Sequence, residues 1–223
     1  MADTHLPPPV IRFYMLVFRR WRTSRFQLFL KRMELSQDEP VLDLGGCVGG
    51  WDDAVARVKR VDCLNIWPPP GFETPGYRYI RGDACRMDFP DQSYPLVYSN
   101  STIEHVGDWE HQLAFANEAR RVGRALWIQT PALECPIEPH IMLPFIHWLP
   151  RRIRRPLAIV LSPRTWLFRE RTVGGMVDDT RLLSHREMRR LFPDCEIHVE
   201  RIAWIFPKSY IAIRQAEETG RTS

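Results

Sequence analysis

VLDLGGCVGG, residues 41–50, joins a short apolar run to a cluster of glycines. An apolar run bounded by glycines is typical of a buried parallel strand that ends in a tight loop. Glycine permits a positive φ in such a loop and lets the backbone approach a ligand closely. The next residues, 51–56, have a helical pattern. Strand, glycine loop and helix N-terminus together predict a nucleotide-type binding corner.

Two common nucleotide-binding loops do not fit this stretch. The dinucleotide pattern G-x-G-x-x-G starting at Gly45 needs a glycine where Cys47 stands, and the other registers fail as well. The phosphate-binding loop with its lysine is also absent. What remains is Asp-x-Gly with further glycines at positions 49 and 50. The alternative is a glycine turn of an ordinary α/β domain, with no ligand.

Length and composition indicate a single domain with a sizeable core. The chain has 223 residues, 44% of them hydrophobic, and a formal net charge of +4. This mild basic excess does not by itself indicate a nucleic-acid partner. Five scattered cysteines form neither a disulfide framework nor a zinc spacing, which favours a reducing cytoplasm. The N-terminus lacks a signal-peptide pattern, and no apolar run approaches the ~20 residues that span a bilayer.

The segment up to residue 35 is predicted to contain one N-terminal helix, beginning near residue 10. Apolar residues fall roughly on one face of this helix, and arginines occupy much of the rest. One interpretation is a leading helix that packs on the domain and caps the substrate cleft. The other is an interfacial helix that makes peripheral contact with a membrane or with an anionic substrate.

Apolar segments alternate with helical segments after the glycine loop, which indicates a parallel sheet with helices on both faces. Strands two to five are predicted at residues 61–66, 77–81, 95–99 and 124–129, with Thr130-Pro131 stopping the fifth. Trp109–Arg121 is predicted to be helical. A capping box, S-x-x-E from Ser184, opens a last helix. Residues 196–204 and 208–214 alternate in polarity and predict a final antiparallel hairpin.

Residues 131–183 interrupt this rhythm with many prolines, aromatic residues and arginines. A long irregular segment after a regular sheet is usually functional, so we expect a substrate-side lid here. Glu138, His140 and His147 supply its titratable groups. The alternative is that both histidines are ordinary structural residues.

These features resemble, in order and spacing, class I S-adenosylmethionine (SAM)-dependent methyltransferases, specifically the methyltransferase type 11-like group. YPLVYSNSTIEHV, residues 94–106, resembles the hydrophobic strand and Glu-His-Val exit of that family. The resemblance covers about residues 35–215. It implies a Rossmann-like fold with a seven-stranded, mostly parallel sheet, an antiparallel final hairpin and a helical insertion after strand five. Signatures of nucleic-acid methylases are missing, so we expect a small-molecule or oligosaccharide acceptor and no nucleic acid.

The resemblance also implies where SAM binds. The expected cofactor-binding residues are Asp43, Gly45, Gly46, Gly49, Asn65, Asp83, Ala84 and Ser99. Asp83 and Ala84 stand where the family contacts the adenine ring. Asn65 stands where the family has an acidic residue for the ribose hydroxyls. An amide still forms hydrogen bonds but lacks the charge-assisted strength of a carboxylate. Either the affinity for SAM is reduced, or another residue grips the ribose.

The predicted reaction is O-methylation by direct in-line transfer, in which catalysis is largely positioning. A hydroxyl acceptor needs a base, or a metal that lowers its pKa. His140, oriented by Glu138, is the first candidate base. His105 with Glu104 is the second candidate, because the fourth-strand exit faces the methyl group in this fold. The alternative for these two residues is a purely structural role. A divalent ion such as Mg²⁺, held by carboxylates of the insertion, stays open because no ligand spacing identifies it.

The segment from Glu134 to Arg155 resembles bacterial methyltransferases of polysaccharides, glycolipids or secondary metabolites. The arginine-rich composition resembles proteins of high-GC actinobacteria, and mycobacterial sugar O-methyltransferases are the nearest comparison. Two other functions stay open. One is a membrane-associated lipid or glycolipid methyltransferase that uses the N-terminal helix, and the other is a non-catalytic SAM-binding subunit. A homodimer is also compatible with the sequence.

Overall fold

The computed structural model describes residues 9–46, 51, 56–67, 74–138, 140–163, 165 and 173–216, with side chains from residue 20 onward. The chain divides into two compact units, Met1–Leu35 and Ser36–Ser223. The first contains helix α1, Pro9–Arg32, close to the predicted range. Lys31 and Arg32 occupy its last turn, where the helix dipole favours positive charge.

The second unit is built on a seven-stranded sheet. Its strands are β1 (Pro40–Leu44), β2 (Arg60–Asn65), β3 (Tyr77–Arg81), β4 (Tyr94–Asn100), β5 (Gly123–Pro131), β8 (Glu196–Ile202) and β9 (Phe206–Arg214), with a separate pair β6 (Ile137–Glu138) and β7 (Leu143–Pro144). The spatial order is β3-β2-β1-β4-β5-β9-β8. Strands β1 to β5 pair in parallel, whereas β9 runs antiparallel to both β5 and β8. The predicted mostly parallel sheet with a final antiparallel hairpin is confirmed.

The chain direction across the sheet reverses between β1 and β4. β2 and β3 continue on one side of β1, and β4 and β5 on the other. Loops that leave β1 and β4 therefore turn to opposite sides and open a crevice at the carboxyl ends of these strands. Val41, Leu42 and Leu44 of β1 are all buried, as expected for a strand covered on both faces.

The helices that flank the sheet begin at side-chain caps. Asp108 accepts the backbone N–H groups of Glu110 and His111 and so starts α2, Trp109–Val122. Ser184 and Glu187 form the predicted capping box at the start of α5, His185–Leu191. Met188 and Leu191 of α5 are buried in the main core with Phe115 of α2.

Strand β5 extends beyond its predicted end at Gln129. Thr130 and Pro131 were expected to stop it, but they pair with Tyr210 and Ser209 of β9. The prediction was wrong because one proline removes only one donor from a ladder. Ala132 still donates its N–H to the carbonyl oxygen of Lys208 at 3.0 Å.

The segment after β5 forms a small layer with its own core. Its described residues form the β6–β7 pair, a 3-10 turn over Ile146–Trp148 and the helices α3 (Arg151–Leu161) and α4 (Val173–Asp179). Buried apolar side chains of its members pack together: Ile141, Ile146, Ala158, Val173 and Val177. The segment therefore contains more regular structure than its proline content suggested, and the predicted helical insertion is present.

Cys63, Cys85, Cys135 and Cys195 are free thiols. Across the described residues, no helix has both the length and the apolar character that a bilayer crossing requires.

The buried Asp62 should contribute strongly to folding stability. Its carboxylate accepts hydrogen bonds from Tyr94 at 2.8 Å, Arg60 at 2.7 Å and Arg78 at 2.7 Å. We expect Asp62→Asn to lower the free energy of unfolding by about 1.5–3 kcal/mol, because charge-assisted hydrogen bonds are lost. Urea unfolding measures this change. Asp91→Asn is the control, since Asp91 is largely exposed and its pair with Arg121 should contribute less than about 1 kcal/mol. Equal losses in both variants would contradict the prediction.

Candidate active site

The glycine corner at the end of β1 leaves no room for side chains. Gly45 has a φ of +77°, and a Cβ there would overlap Thr102, approaching its Cγ2 to 2.6 Å. A Cβ on Gly46 would overlap the carboxylate of Asp43. Both positions therefore need glycine. Gly49, also predicted to bind the cofactor, lies outside the described residues.

Asp43 lies beneath this corner. Its side chain is buried, and its Oδ2 accepts the indole N–H of Trp51 at 3.0 Å. Burial raises the pKa of Asp43 to about 7, although the Trp51 hydrogen bond opposes the shift. Asp43 thus supports the loop from the protein interior.

The ends of β2 and β3 flank the glycine corner. Asn65, the last residue of β2, donates its amide N–H to the carbonyl oxygen of Gly46 at 3.0 Å. Gly82 donates its backbone N–H to the carbonyl oxygen of Asn65 at 3.1 Å. Asp83 follows at once and caps the N–H of Cys85 at 2.8 Å. Of the predicted cofactor residues, Asn65 and Asp83 therefore lie at adjoining strand ends beside the corner, while Ala84 packs against the main core.

The exit of β4 is tied to the end of β1 by two hydroxyl groups. Ser99 donates to the carbonyl oxygen of Leu44 at 3.1 Å, and Thr102 donates to the same oxygen at 2.9 Å. Ser99 is fully buried, so its hydroxyl serves the protein backbone. Thr102 was not among the predicted site residues, although it stands in the quoted strand-four exit and contacts the space that Gly45 leaves.

The four predicted catalytic residues form one cluster. Glu104 and His105 lie in a 3-10 turn, Ile103–His105, directly after β4, whereas Glu138 and His140 belong to the insertion. The Nε2 atoms of His105 and His140 are 3.2 Å apart. His140 Nδ1 lies 2.6 Å from Glu138 Oε1, and His140 Nε2 lies 3.7 Å from Glu104 Oε1. The two pairs that the sequence offered as alternatives are therefore neighbours.

The two carboxylates of this cluster have different environments. Burial raises the pKa of Glu104, against the opposing effects of His140 and the Thr130 hydroxyl. Burial also opposes the charge of Glu138, but hydrogen bonds from His140 and the Ile141 N–H outweigh it and hold the pKa of Glu138 below its ordinary value. Glu138 is thus the ionised partner of His140.

The hydrogen bonds of the cluster fix the tautomers of its histidines: His140 has its lone pair on Nε2, and His105 donates its Nε2 proton to that lone pair. Because Glu138 accepts a hydrogen bond from Nδ1 of His140, the hydrogen-bonding pattern assigns the proton to Nδ1 and leaves a lone pair on Nε2. Burial, followed by the charge of His140, lowers the pKa of His105, which favours its neutral form. Neutral imidazoles can accept a proton or ligate a metal ion.

A cavity of about 190 Å³ adjoins the cluster. Glu138 and Thr180 line it on the side of the histidines, and Thr180 Oγ1 lies 3.5 Å from His105 Nδ1. His147 and Arg154 also line it. His147 donates a hydrogen bond from Nε2 to the carbonyl oxygen of Leu133, 3.0 Å away, so it lies in the cavity wall and outside the cluster.

Comparison with known proteins agrees with this geometry. A family model described as a methyltransferase domain matches residues 42–125, which include the glycine corner and the strand-four exit. None of the curated proteins matches the sequence.

Solved structures share the fold. PH0226 of Pyrococcus horikoshii is 16% identical with a TM-score of 0.55, covering 90% of this chain and 91% of that one. A SAM-dependent methyltransferase of Anabaena variabilis is 12% identical with a TM-score of 0.52, covering 87% and 82%. The protein bound to the Haloferax volcanii Trm112 methyltransferase activator is 18% identical with a TM-score of 0.50, covering 92% and 93%.

The sheet order, the glycine corner and the domain match at residues 42–125 lead to one conclusion. The predicted fold is confirmed: the chain has the class I methyltransferase fold, and residues 42–125 are similar to a methyltransferase domain.

Proposed function

We propose that this protein is a SAM-dependent methyltransferase that methylates a hydroxyl group of a saccharide or of another small polar molecule. The observation that carries the proposal is the pairing of His140 with Glu138, next to the strand-four exit. When bound, SAM supplies an electrophilic methyl group on a sulfonium. The sulfur departs as a neutral thioether and needs no help from an acid. The protein must therefore mainly position the acceptor and remove its proton.

The glycine corner is the proposed SAM site. Gly45 and Gly46 leave space where side chains would otherwise stand, which lets the backbone approach the ligand. Asn65 is proposed to offer its amide oxygen to the ribose hydroxyls while its N–H holds the loop at Gly46. Asp83, one strand farther, is proposed to flank the adenine.

A hydroxyl is the acceptor group that needs this cluster most. A carboxylate acceptor carries no proton to remove, whereas a sugar hydroxyl is a poor nucleophile while protonated. His140 has the lone pair at Nε2 that such a proton transfer requires, and Glu138 fixes its orientation. A route assisted by Mg²⁺ would favour an all-oxygen ligand set, whereas the cluster combines two carboxylates with two imidazoles.

The cavity beside the cluster favours a polar acceptor. Nε of Arg154 and Nδ1 of His147 are buried and have no hydrogen-bond partner among the described residues. Buried polar atoms are normally satisfied, so these two are suited to hydroxyl groups of a ligand. Pockets for drug-sized ligands are larger, about 300–1,000 Å³, so this cavity fits a single sugar-sized group.

The insertion is proposed to act as a substrate-side lid. It contributes Glu138 and His140 to the site and has a small core of its own, separate from the core beneath the sheet. A layer with few buried contacts opens more readily than a central strand.

A lipid-linked acceptor is the second candidate. Helix α3 exposes 51% of Ile153, 58% of Val160 and 54% of Leu161, and its first turns are rich in arginine. Exposed aliphatic side chains combined with basic ones are typical of helices that lie on anionic membranes. A glycolipid acceptor whose sugar enters the cavity would account for both the cavity and the exposed aliphatic and basic side chains of α3.

Gly45→Val should weaken the binding of SAM and of S-adenosylhomocysteine. The valine would have to adopt a positive φ and would overlap Thr102. We expect at least tenfold weaker binding, about 1.4 kcal/mol, by isothermal titration calorimetry. Gly175→Ala is the control, since its Cβ meets only Asp179 at 3.8 Å. Circular dichroism should show that both variants fold, and wild-type affinity in folded Gly45→Val would refute the assignment.

His140→Ala should lower kcat about a hundredfold or more, the usual contribution of a group that activates a nucleophile. The acceptor comes from a screen of hydroxylated saccharides with methyl-labelled SAM. SAM affinity should stay unchanged, because His140 lies outside the glycine corner. His198→Ala, on the edge strand β8, is the control and should keep full activity. SAM binding without turnover on any acceptor would instead indicate a non-catalytic SAM-binding subunit.

If the acceptor is lipid-linked, the protein should co-sediment with vesicles of anionic phospholipid, and less with phosphatidylcholine vesicles. Val160→Glu should reduce this binding severalfold because it places a charge on the apolar face of α3. Ile205→Glu is a matched change, since Ile205 is 68% exposed on the β8–β9 turn. Equal effects of the two changes, or no binding by the wild type, would rule out α3 as a membrane surface.

A further inference from the structure

We infer that Glu104, His105 and His140 together bind one divalent transition-metal ion. Its binding can be tested without any knowledge of the acceptor, whereas its part in catalysis rests on the proposed function. With the ion in place, Nε2 of His140 is a ligand, and the ion lowers the pKa of the acceptor hydroxyl in place of a histidine base.

The three side chains have the spacing of a ligand set. One ligand atom from each lies within 4.8 Å of the others. His105 Nε2 and His140 Nε2 are 3.2 Å apart, and His140 Nε2 and Glu104 Oε1 are 3.7 Å apart. Ligands about 2.0–2.2 Å from a tetrahedral ion lie about 3.3–3.6 Å from one another. Side-chain rotation must bring the more widely separated atoms, up to 4.8 Å apart, closer together around one ion.

Glu104 provides an independent indication of a cation. Its side chain is fully buried, and Oε2 accepts the hydroxyl of Thr130 at 2.9 Å. Oε1 has no hydrogen-bond partner among the described residues. A buried carboxylate oxygen without a partner is costly, and this one is the oxygen nearest to His140. A metal ion between Glu104 and the histidines would satisfy it.

Outer contacts hold the histidines as metal ligands require. Glu138 Oε1 fixes the Nδ1 proton of His140, and Glu138 Oε2 is itself anchored by the N–H of Ile141 at 2.7 Å. A carboxylate behind a ligating histidine is the usual arrangement in metal sites, where it orients the ring and raises its basicity. His105 is oriented less tightly, with Thr180 Oγ1 at 3.5 Å from Nδ1.

The donor set indicates the class of ion. Mg²⁺ and Ca²⁺ prefer oxygen ligands, whereas two imidazoles and one carboxylate suit Zn²⁺, Co²⁺, Fe²⁺, Mn²⁺ or Ni²⁺. Three protein ligands leave at least one coordination position open, as in catalytic sites. The side chain of His140 is 19% exposed, so an acceptor oxygen can reach the cluster.

The proposed step balances. The O–H bond of the acceptor breaks and its proton passes to solvent water. The S–CH₃ bond of SAM breaks as the O–CH₃ bond forms, and the electron pair of the broken bond stays on sulfur. The products are the methyl ether, S-adenosylhomocysteine and one proton, with no change in oxidation state of the ion.

The test is metal binding by the full chain after treatment with a chelator. We expect one Zn²⁺ per chain by calorimetry and, with Co²⁺, visible d–d bands of a nitrogen-ligated site. His105→Ala and Glu104→Gln should each weaken Zn²⁺ binding at least a hundredfold, and Glu138→Gln about 10–100-fold through His140. His198→Ala should bind like the wild type, and Mg²⁺ should not compete. His105 is exposed, so its variant should fold even if the buried Glu104→Gln does not.

Two results would overturn the metal site. One is the absence of stoichiometric Zn²⁺ or Co²⁺ binding by the wild type. The other is unchanged binding in a folded His105→Ala variant. If the protein keeps full turnover after chelation and loses it in the His140→Ala variant, a histidine base activates the acceptor in place of a metal ion. Metal binding without methylation of any hydroxyl would keep the metal site and reject the proposed function, so the two failures are distinguishable.

Discussion

The carbonyl oxygen of Leu44 accepts hydrogen bonds from both Ser99 and Thr102, and the geometry of the site depends on this double contact. It joins the last residue of β1 to the exit of β4, at the point where the loops that follow these two strands diverge. On one side, Thr102 occupies the space that forces residue 45 to be glycine. On the other side, the turn that follows Thr102 carries Glu104 and His105. One acceptor atom therefore links the glycine corner to the turn that contains Glu104 and His105.

Two carboxyl groups at the site are buried, and the low dielectric of the protein interior disfavours their ionised forms. Asp43 and Glu104 are both buried, and burial raises the pKa of each. For Asp43, the folded-state pKa of about 7 lies above the unfolded value of 3.8, so its contribution to stability falls as the pH rises through this range. A cation that binds near such a group lowers its pKa and offsets the electrostatic cost of burial. For Glu104, a positively charged ligand would therefore stabilise the folded protein as well as enable chemistry.

The sequence was most informative where local pattern controls structure. The apolar runs predicted β1, β2, β4 and β5 because buried parallel strands are rich in apolar residues, whereas β3 lies at the edge of the sheet and is only partly buried. The capping box at Ser184 located α5 because its two hydrogen bonds are local. The convergence of His105 with His140 was not predictable in this way. These residues are 35 positions apart, and the small core of the insertion, which has no clear periodicity in sequence, brings them together. The inward direction of Ser99 depends on strand register, which an apolar run does not reveal.

The insertion leaves the sheet and returns to it at neighbouring points, because Ala132 and Leu183 pair as a parallel bridge. A segment whose ends meet can be replaced by another of different length at little entropic cost to the sheet. Glu104 and His105 stay with the sheet in such an exchange, whereas His140 leaves with the insertion. Under the proposed function, evolution or design could therefore alter the acceptor by grafting a new insertion between Ala132 and Leu183, provided that it returns one imidazole to the position of His140.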